Sequence, residues 1–303
     1  MAKYGIPYMG SKGGIAELII KFLPNAENIY DLFGGGFSIS HCAMLSKKFK
    51  NVFYNEINAD VVELVRKAIN GEYNYNVFKP EWISREMFFK RKDSCAYTRV
   101  IWSFGNNQKG YMFGADIEQQ KKALHNAVVF NVFSDLATKL TGLNKFPAWS
   151  GITQRRLLVK KIFRGKPRID LQQLQQLEQL QRLERLQRLE RLRQLERLRQ
   201  LQMTSLSYEG VQIKPDSIIY CDPPYKGTAS YLNTFDHEKF WQWARTSKHP
   251  VFVSEYNAPK DFKIVLSFDH KKILSPKANS NSVEKLFCND AASKILSKVY
   301  DQS

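Results

Sequence analysis

Apolar residues in the first quarter of the chain alternate between helical spacing and short unbroken runs. Ile15, Leu18, Ile19 and Phe22 fall at i, i+3, i+4 and i+7, which predicts a helix that Pro24 ends. Asn28-Ile-Tyr-Asp-Leu-Phe33 reads as a buried strand, followed by a glycine cluster and a helix through about Lys48. Asn51 to Ile57 predicts a second strand, and Asn58 is placed to cap a helix over 59–70. Strand, turn, helix, strand, helix is the opening of a parallel sheet. After a long interruption the alternation resumes, with strands at 217–221 and 250–254, a helix at 237–245 and shorter strand candidates at 263–266 and 285–288. The two halves, 1–70 and 206–303, are expected to build one α/β sheet around an insertion.

The insertion has two parts. Residues 71–169 are rich in aromatics and cations, as in Phe88-Phe-Lys-Arg-Lys-Asp93 and Ile101-Trp-Ser-Phe-Gly-Asn-Asn-Gln-Lys-Gly-Tyr111. Within it, Leu124, Val128, Val132, Leu136 and Leu140 predict one amphipathic helix over 117–143. The second part, 170–205, is a low-complexity array in which Leu recurs every third residue from Leu171 to Leu201. On an α-helix such a stripe drifts back by about 60° per step, whereas a 3₁₀-helix would stack it on one side, and a small β-solenoid is a third solution. Strong helix formers and pairs such as Glu178–Arg182 and Glu184–Arg188 favour α. The array is expected to be a length-variable spacer or packing arm that chemistry can dispense with.

Composition narrows the class. Hydrophobic residues make up 43% of the 303, mean hydropathy is −0.41, and no apolar run reaches the length of a membrane span. Met1 to Pro7 carries no signal pattern, and Cys42, Cys95, Cys221 and Cys288 are scattered, so a cytoplasmic protein without disulfides or a metal site is expected. The charge changes the picture further. Residues 65–169 hold 20 Lys and Arg against 7 Asp and Glu, so they carry +13 of a net +17. Charge gathered this way is the footprint of a polyanion.

The chemistry concentrates at strand ends. Ile218-Ile-Tyr-Cys runs into Asp222-Pro223-Pro224-Tyr225, which places these four where open α/β sheets bind ligands. An aromatic amine is a poor nucleophile, because its lone pair is delocalised into the ring. Asp222 can accept one amino hydrogen and the Pro223 carbonyl the other, which favours a more tetrahedral nitrogen. Prolines remove competing N–H donors and fix the turn, and Tyr225 offers a face to a flipped base. Tyr30-Asp-Leu-Phe-Gly-Gly-Gly-Phe-Ser38 is a glycine turn after the first strand. Glu56 ends the second strand, where a carboxylate binds ribose hydroxyls. Tyr8-Met-Gly-Ser-Lys-Gly forms a basic loop before the first helix.

In this order the segments resemble the Dam-type adenine methylases, especially bacteriophage members. The resemblance covers 4–60 and 206–290 well and 95–115 more loosely. It implies a Rossmann-like class I methyltransferase sheet with an inserted, mainly helical target-recognition domain, S-adenosylmethionine as cofactor, and methylation of adenine N6 in double-stranded DNA by base flipping and direct transfer. Carried over by residue, Tyr8, Lys12, Asp31, Phe33, Gly34, Gly36 and Glu56 are expected at the cofactor, together with Asp222. Asp222-Pro-Pro-Tyr225 takes the amine, and Lys90, Arg91, Lys92, Asn106, Asn107 and Lys109 are expected on DNA. Ser254-Glu-Tyr256 and Glu284-Lys-Leu-Phe287 match the family's later sheet motifs. Phe37 stands where the family turn has glycine. The expected state is a monomer in a bacterial or phage-infected cell, with a dimer through the Leu repeat as the alternative. Rival readings are a methyltransferase of RNA or another amine, a non-catalytic DNA-binding module, and a nicotinamide-dependent dehydrogenase. The long basic insertion disfavours protein glutamine as substrate, the intact Asp-Pro-Pro-Tyr disfavours a dead site, and nothing suggests hydride transfer.

Overall fold

The structure, a computed structural model, describes residues 3–164, 177–225, 235–268 and 283–300. The chain divides into two compact units, one formed by Met1–Gly5, Gly10–Val62 and Gln194–Ser303, the other by Ile6–Met9 and Glu63–Arg193.

The first unit is built on a seven-stranded sheet. Its strands are β1 (Asn28–Asp31), β2 (Asn51–Asn55), β3 (Leu201–Thr204), β4 (Ser217–Cys221), β5 (Val251–Glu255), β6 (Lys263–Phe268) and β7 (Glu284–Cys288), in the order β3-β2-β1-β4-β5-β7-β6. The first five in this order are parallel to one another, and β7 runs antiparallel to both β5 and β6. β1, β4 and β5 are buried along their whole length, as strands covered on both faces must be, and this is why they read as continuous apolar runs. Helices α1 (Ala16–Phe22) and α2 (Ser38–Ser46) belong to this unit, and α3 (Ala59–Ile69) begins in it and continues in the other. One sheet face is packed by Tyr30, Phe53, Ile219, Val251 and Val253 against Phe240 and Ala244 of the helix His237–Thr246. The strand order reverses direction between β1 and β4, and at such a switch point the loops leaving the two strands diverge and leave a crevice. β3 was not foreseen in the sequence, where its residues look like the end of the Leu array.

The second unit is helical: α4 (Arg85–Arg91), α5 (Ala96–Ile101), α6 (Glu118–Phe130), α7 (Asp135–Thr141), α8 (Ile152–Arg164) and α9 (Glu178–Gln187). Its core joins Leu124, Val128, Val129, Phe146, Val159 and Phe163 to Leu177 and Leu180 of the array. The single helix expected over 117–143 is broken. Asn131 adopts a left-handed φ of 58° and ends α6, its side-chain oxygen accepting from the Phe146 amide, and Ser134 caps α7. Val132, expected on the buried face, is 60% exposed at the break.

The array departs furthest from expectation. Leu177, Leu180, Leu183, Leu186, Leu189 and Leu192 are all 0% exposed. The chain is α-helical over Glu178–Gln187 and 3₁₀ over Arg188–Gln194 and Glu196–Gln200. A continuing α-helix would rotate the next leucines towards solvent by about 60° per step. The tighter three-residue turn stops that drift and keeps Leu189 and Leu192 inside. Between the leucines, Glu184 takes a two-pronged ion pair from Arg156 on α8 (2.8 and 2.9 Å), and Arg182 donates to the Ser103 carbonyl. This part of the array is core, not a spacer. Its first leucines, Leu171 and Leu174, lie outside the described residues. No described helix is long and apolar enough to cross a membrane.

Candidate active site

The carboxyl ends of β1, β2 and β4 carry the residues singled out in the sequence. β1 ends at Asp31, whose Oδ2 accepts from both the amide and the hydroxyl of Ser40 (3.2 and 2.7 Å) near the start of α2. Burial pushes the Asp31 carboxyl up to about 7 against those two bonds, and the charges of Asp222 and Glu56 push the same way. The turn that follows is packed from below by Tyr54. Its hydroxyl donates to the Gly35 carbonyl (2.8 Å), and a Cβ at Gly34 would overlap its ring. Gly35 has φ of 43°, and its amide donates to Glu56 Oε2 (2.9 Å). Phe37 keeps the glycine-like backbone with φ of 65°, while its side chain is fully buried, edge-to-face with Tyr54 and stacked on His41. The residue that departs from the family pattern therefore faces the core.

Glu56, just past β2, is 7% exposed, and its Oε1 accepts from the amide and side chain of Asn58 (3.0 and 2.7 Å). Burial raises its pKa, while the bonds from Asn58 and Gly35 lower it. Phe33 packs against Tyr208, Phe235 and Phe240. Tyr8, expected beside Lys12, is buried with Ile6–Met9 in the second unit.

Asp222 follows β4 directly and meets a partner that the sequence did not reveal. Lys12, from the short helical turn Lys12–Gly14 that Ser11 caps, reaches Asp222 Oδ2 at 2.7 Å and Glu284 Oε1 at 3.3 Å. Glu284 opens β7, and because β7 runs antiparallel to β5, its first residue lies at the end of the sheet where β4 and β5 finish. Tyr225 donates to Glu284 Oε1 (2.8 Å), its ring lies 5.0 Å from the Lys12 Nζ, and Tyr256 meets it edge-on at 5.0 Å. Beneath, the Tyr220 hydroxyl and Ser254 Oγ share a buried bond of 2.8 Å.

Two carboxylates thus share one ammonium, with side chains only 7%, 17% and 6% exposed for Lys12, Asp222 and Glu284. Burial pushes Asp222 up to about 6; Lys12 pulls it down and Glu284 pushes it up. Burial works against the charge on Lys12, but Asp222 and Glu284 outweigh it and hold its pKa above the ordinary value. Tyr225 is pushed far above its ordinary range by burial and by both carboxylates, so it stays a donor. Such an arrangement can accept hydrogens from an amine at Asp222 and hold an aromatic ring beside Tyr225. The sequence missed Glu284 as part of the site. Its one signal was a carboxylate opening a mostly buried strand.

In the second unit the structure brings two of the basic segments together. Arg99 on α5 donates to the Lys92 carbonyl (2.8 Å) and to Gln108 Oε1 (3.0 Å), tying the end of α4 to the loop after α5. That loop is pinned by the bridge between Ser103 and Tyr111 and turns through left-handed Gly105, Asn106 and Gln108. Asn107 shapes it, its Oδ1 accepting from the amides of Lys109 and Gly110 (2.9 and 3.0 Å), so that oxygen serves the loop. Lys90, Arg91 and Lys109 are exposed, Lys92 and Asn106 half-buried, and Phe104 at the loop start is 66% exposed.

No curated protein matches the chain. Among solved structures, the rRNA methyltransferase aviRa from Streptomyces viridochromogenes is similar at 10% identity, over 93% of this chain and 84% of that one, with a TM-score of 0.33. The family model of the D12 class N6 adenine-specific DNA methyltransferases matches residues 8–297, nearly the whole chain, and the protein belongs to that family.

Proposed function

We propose that Asp222, Pro223, Pro224 and Tyr225 hold the target amine and that Asp31, Phe33, Gly34, Gly36 and Glu56 hold the cofactor, in a Dam-type member of the family akin to those of bacteriophages. The protein transfers a methyl group from S-adenosylmethionine to adenine N6 in DNA. The residues suit that donor, because Asp31, Glu56, Asp222 and Glu284 are buried carboxylates at strand ends, while Lys12 is the cation paired with two of them. A ligand bearing a sulfonium and an ammonium balances such a surplus of negative charge. Two carboxylate oxygens offer about four acceptor sites, and Glu56 spends three on Gly35 and Asn58, which leaves room for a ribose hydroxyl. Bound there, S-adenosylmethionine supplies an electrophilic methyl group.

The observation that carries the reading is Asp222 at the switch point, beside β1 and next to an aromatic ring. Asp222 accepts one amino hydrogen, the Pro223 carbonyl accepts the other, and the proton that the amine loses on transfer has Asp222 as its nearest acceptor. Flipping the base out of the duplex costs a few kcal/mol, which phosphate contacts from Lys90, Arg91, Lys92 and Lys109 offset. Exposed Phe104, in the loop that carries Lys109, supplies a stacking face there. The second unit is accordingly the target-recognition domain. Its leucines from Leu177 to Leu192 are buried within the chain, which favours a monomer over a dimer through the repeat. The expected setting is the cytoplasm. The test is tritium transfer from labelled S-adenosylmethionine to duplex DNA, with modified adenines mapped. Asp222→Ala is expected to lose transfer and keep cofactor affinity, and a rate above about a tenth of wild type would refute the role.

A further inference from the structure

The Asp222 carboxylate has a rival for its hydrogen bonds. Its Oδ2 already holds the Lys12 ammonium at 2.7 Å. An amine entering the site competes with that ammonium for the carboxylate, and a buried ammonium without a carboxylate is costly. Glu284 lies 3.3 Å from the same Nζ and is held by the Tyr225 hydroxyl.

We propose that Glu284 is a positioning residue of the methyl-transfer site, taking Lys12 over from Asp222 when the adenine amino group arrives and steadying the Tyr225 ring through its hydroxyl. The inference rests on the reading of Asp222 as the amine's acceptor. The lysine stays charged and paired in both positions, so the exchange moves an ion pair by one carboxylate and needs no proton transfer. It also explains why a buried strand opens on a carboxylate and why two carboxylates crowd one cation.

The arrangement has a pH signature. Facing Asp222 are Lys12 from the turn before α1, Glu284 from β7, Tyr220 and Cys221 from β4, Tyr225, and Asp31 from β1. The tyrosines and Cys221 stay protonated, since burial drives each upward. Glu284 is one of the charges that raise Asp222, so removing it shifts the acidic limb of the single-turnover rate to lower pH.

The experiment compares wild type, Glu284→Gln, Glu284→Asp, Lys12→Met, the Lys12→Met/Glu284→Gln double variant and Asp222→Asn. It measures single-turnover methylation, cofactor affinity and DNA affinity. Glu284→Gln keeps an acceptor for Tyr225 but not the charge. It is expected to slow transfer roughly 10–100-fold, the loss of one charge-assisted bond, with both affinities unchanged and the acidic limb moved down. Glu284→Asp recovers most of the rate. In the Lys12→Met background the Glu284→Gln loss shrinks, because the group it receives is gone. A Glu284→Gln rate within about twofold of wild type, or losses that simply add in the double variant, overturns the inference alone. Should Glu284→Gln fail to fold, a Glu284→Asp enzyme as slow as Lys12→Met, with an unmoved acidic limb, overturns it as well. Asp222→Asn that still methylates at the wild-type rate overturns the reading of Asp222 and this inference together.

Discussion

Asp31 is the side chain most exposed to the consequences of its neighbours. Unfolded, it ionises near 3.8, and folded, near 7, so between those values the native state keeps a proton that the unfolded chain has lost. The stability this gives is complete below about 3.8 and drains away as pH rises through 7. Asp222, raised to about 6, acts in the same direction. The cofactor-free protein is therefore expected to melt at a lower temperature at pH 8 than at about pH 5. Asp31→Asn should flatten that slope, and saturating S-adenosylmethionine should raise the melting point more at the alkaline end. A pH-independent melting curve would refute the account. Glu56 gives a second expectation, since Glu56→Ala removes a charge-assisted bond and should weaken cofactor binding by about 1.5–3 kcal/mol. Cofactor-free DNA binding should be unchanged, and equal cofactor affinity in calorimetry would move the ribose contact elsewhere. At this scale the sequence singled out Asp31, Glu56 and Asp222, which the structure places buried at or just past strand ends. It did not reveal Glu284, because strand pairing alone brings residue 284 beside residues 12 and 225.

Among the elements, the Leu array carries the clearest expectation. Each of its leucines from 177 to 192 is fully enclosed, so Leu183→Ala should cost about 2–5 kcal/mol through lost transfer free energy and the cavity left behind. Chemical denaturation checks this, and a loss below about 0.5 kcal/mol would mean that the leucine is less well packed than its burial implies. Replacing 174–197 with a flexible linker should unfold the second unit, followed by limited proteolysis of 63–193, instead of leaving methylation intact. The α-helices with caps or clear periodicity were legible, α1, α3 and His237–Thr246 among them, because local propensity and burial agree there. The break at Asn131 was not, since apolar spacing runs across it, and the tertiary bond from the Phe146 amide to its side chain supports the left-handed turn. The α-to-3₁₀ change in the array was equally hidden, because a period of three fits either helix until a core on one side decides.

For the molecule as a whole, charge is the dominant feature. With +13 gathered in 65–169, DNA affinity should fall steeply with salt, and six phosphate contacts would give a log–log slope of about −5. Replacing Lys90, Arg91 and Lys92 with glutamine should make the slope shallower by roughly one unit for each phosphate that is no longer neutralised, whatever the DNA sequence. Filter binding across a salt series measures it, and a slope that does not change would remove the 90–92 run from the interface. Arg99→Ala, which unties that run from the 104–110 loop, should weaken DNA binding although Arg99 itself is half-buried.

The sequence by itself determined that strands and helices alternate, that the alternation is interrupted by a basic segment, and that Glu56 and Asp222 stand at the ends of their strands. These follow from side-chain periodicity and turn chemistry, which act within a few residues. Tertiary structure decided which of those carboxylates meet a cation, that Leu201–Thr204 leaves the array to become the edge strand β3, and that Phe37 turns inward. It also decided that an apparent spacer is a hydrophobic core. Each of these depends on contacts between residues far apart in the chain, where the free energy of burial and pairing is set by the partner and not by the local sequence.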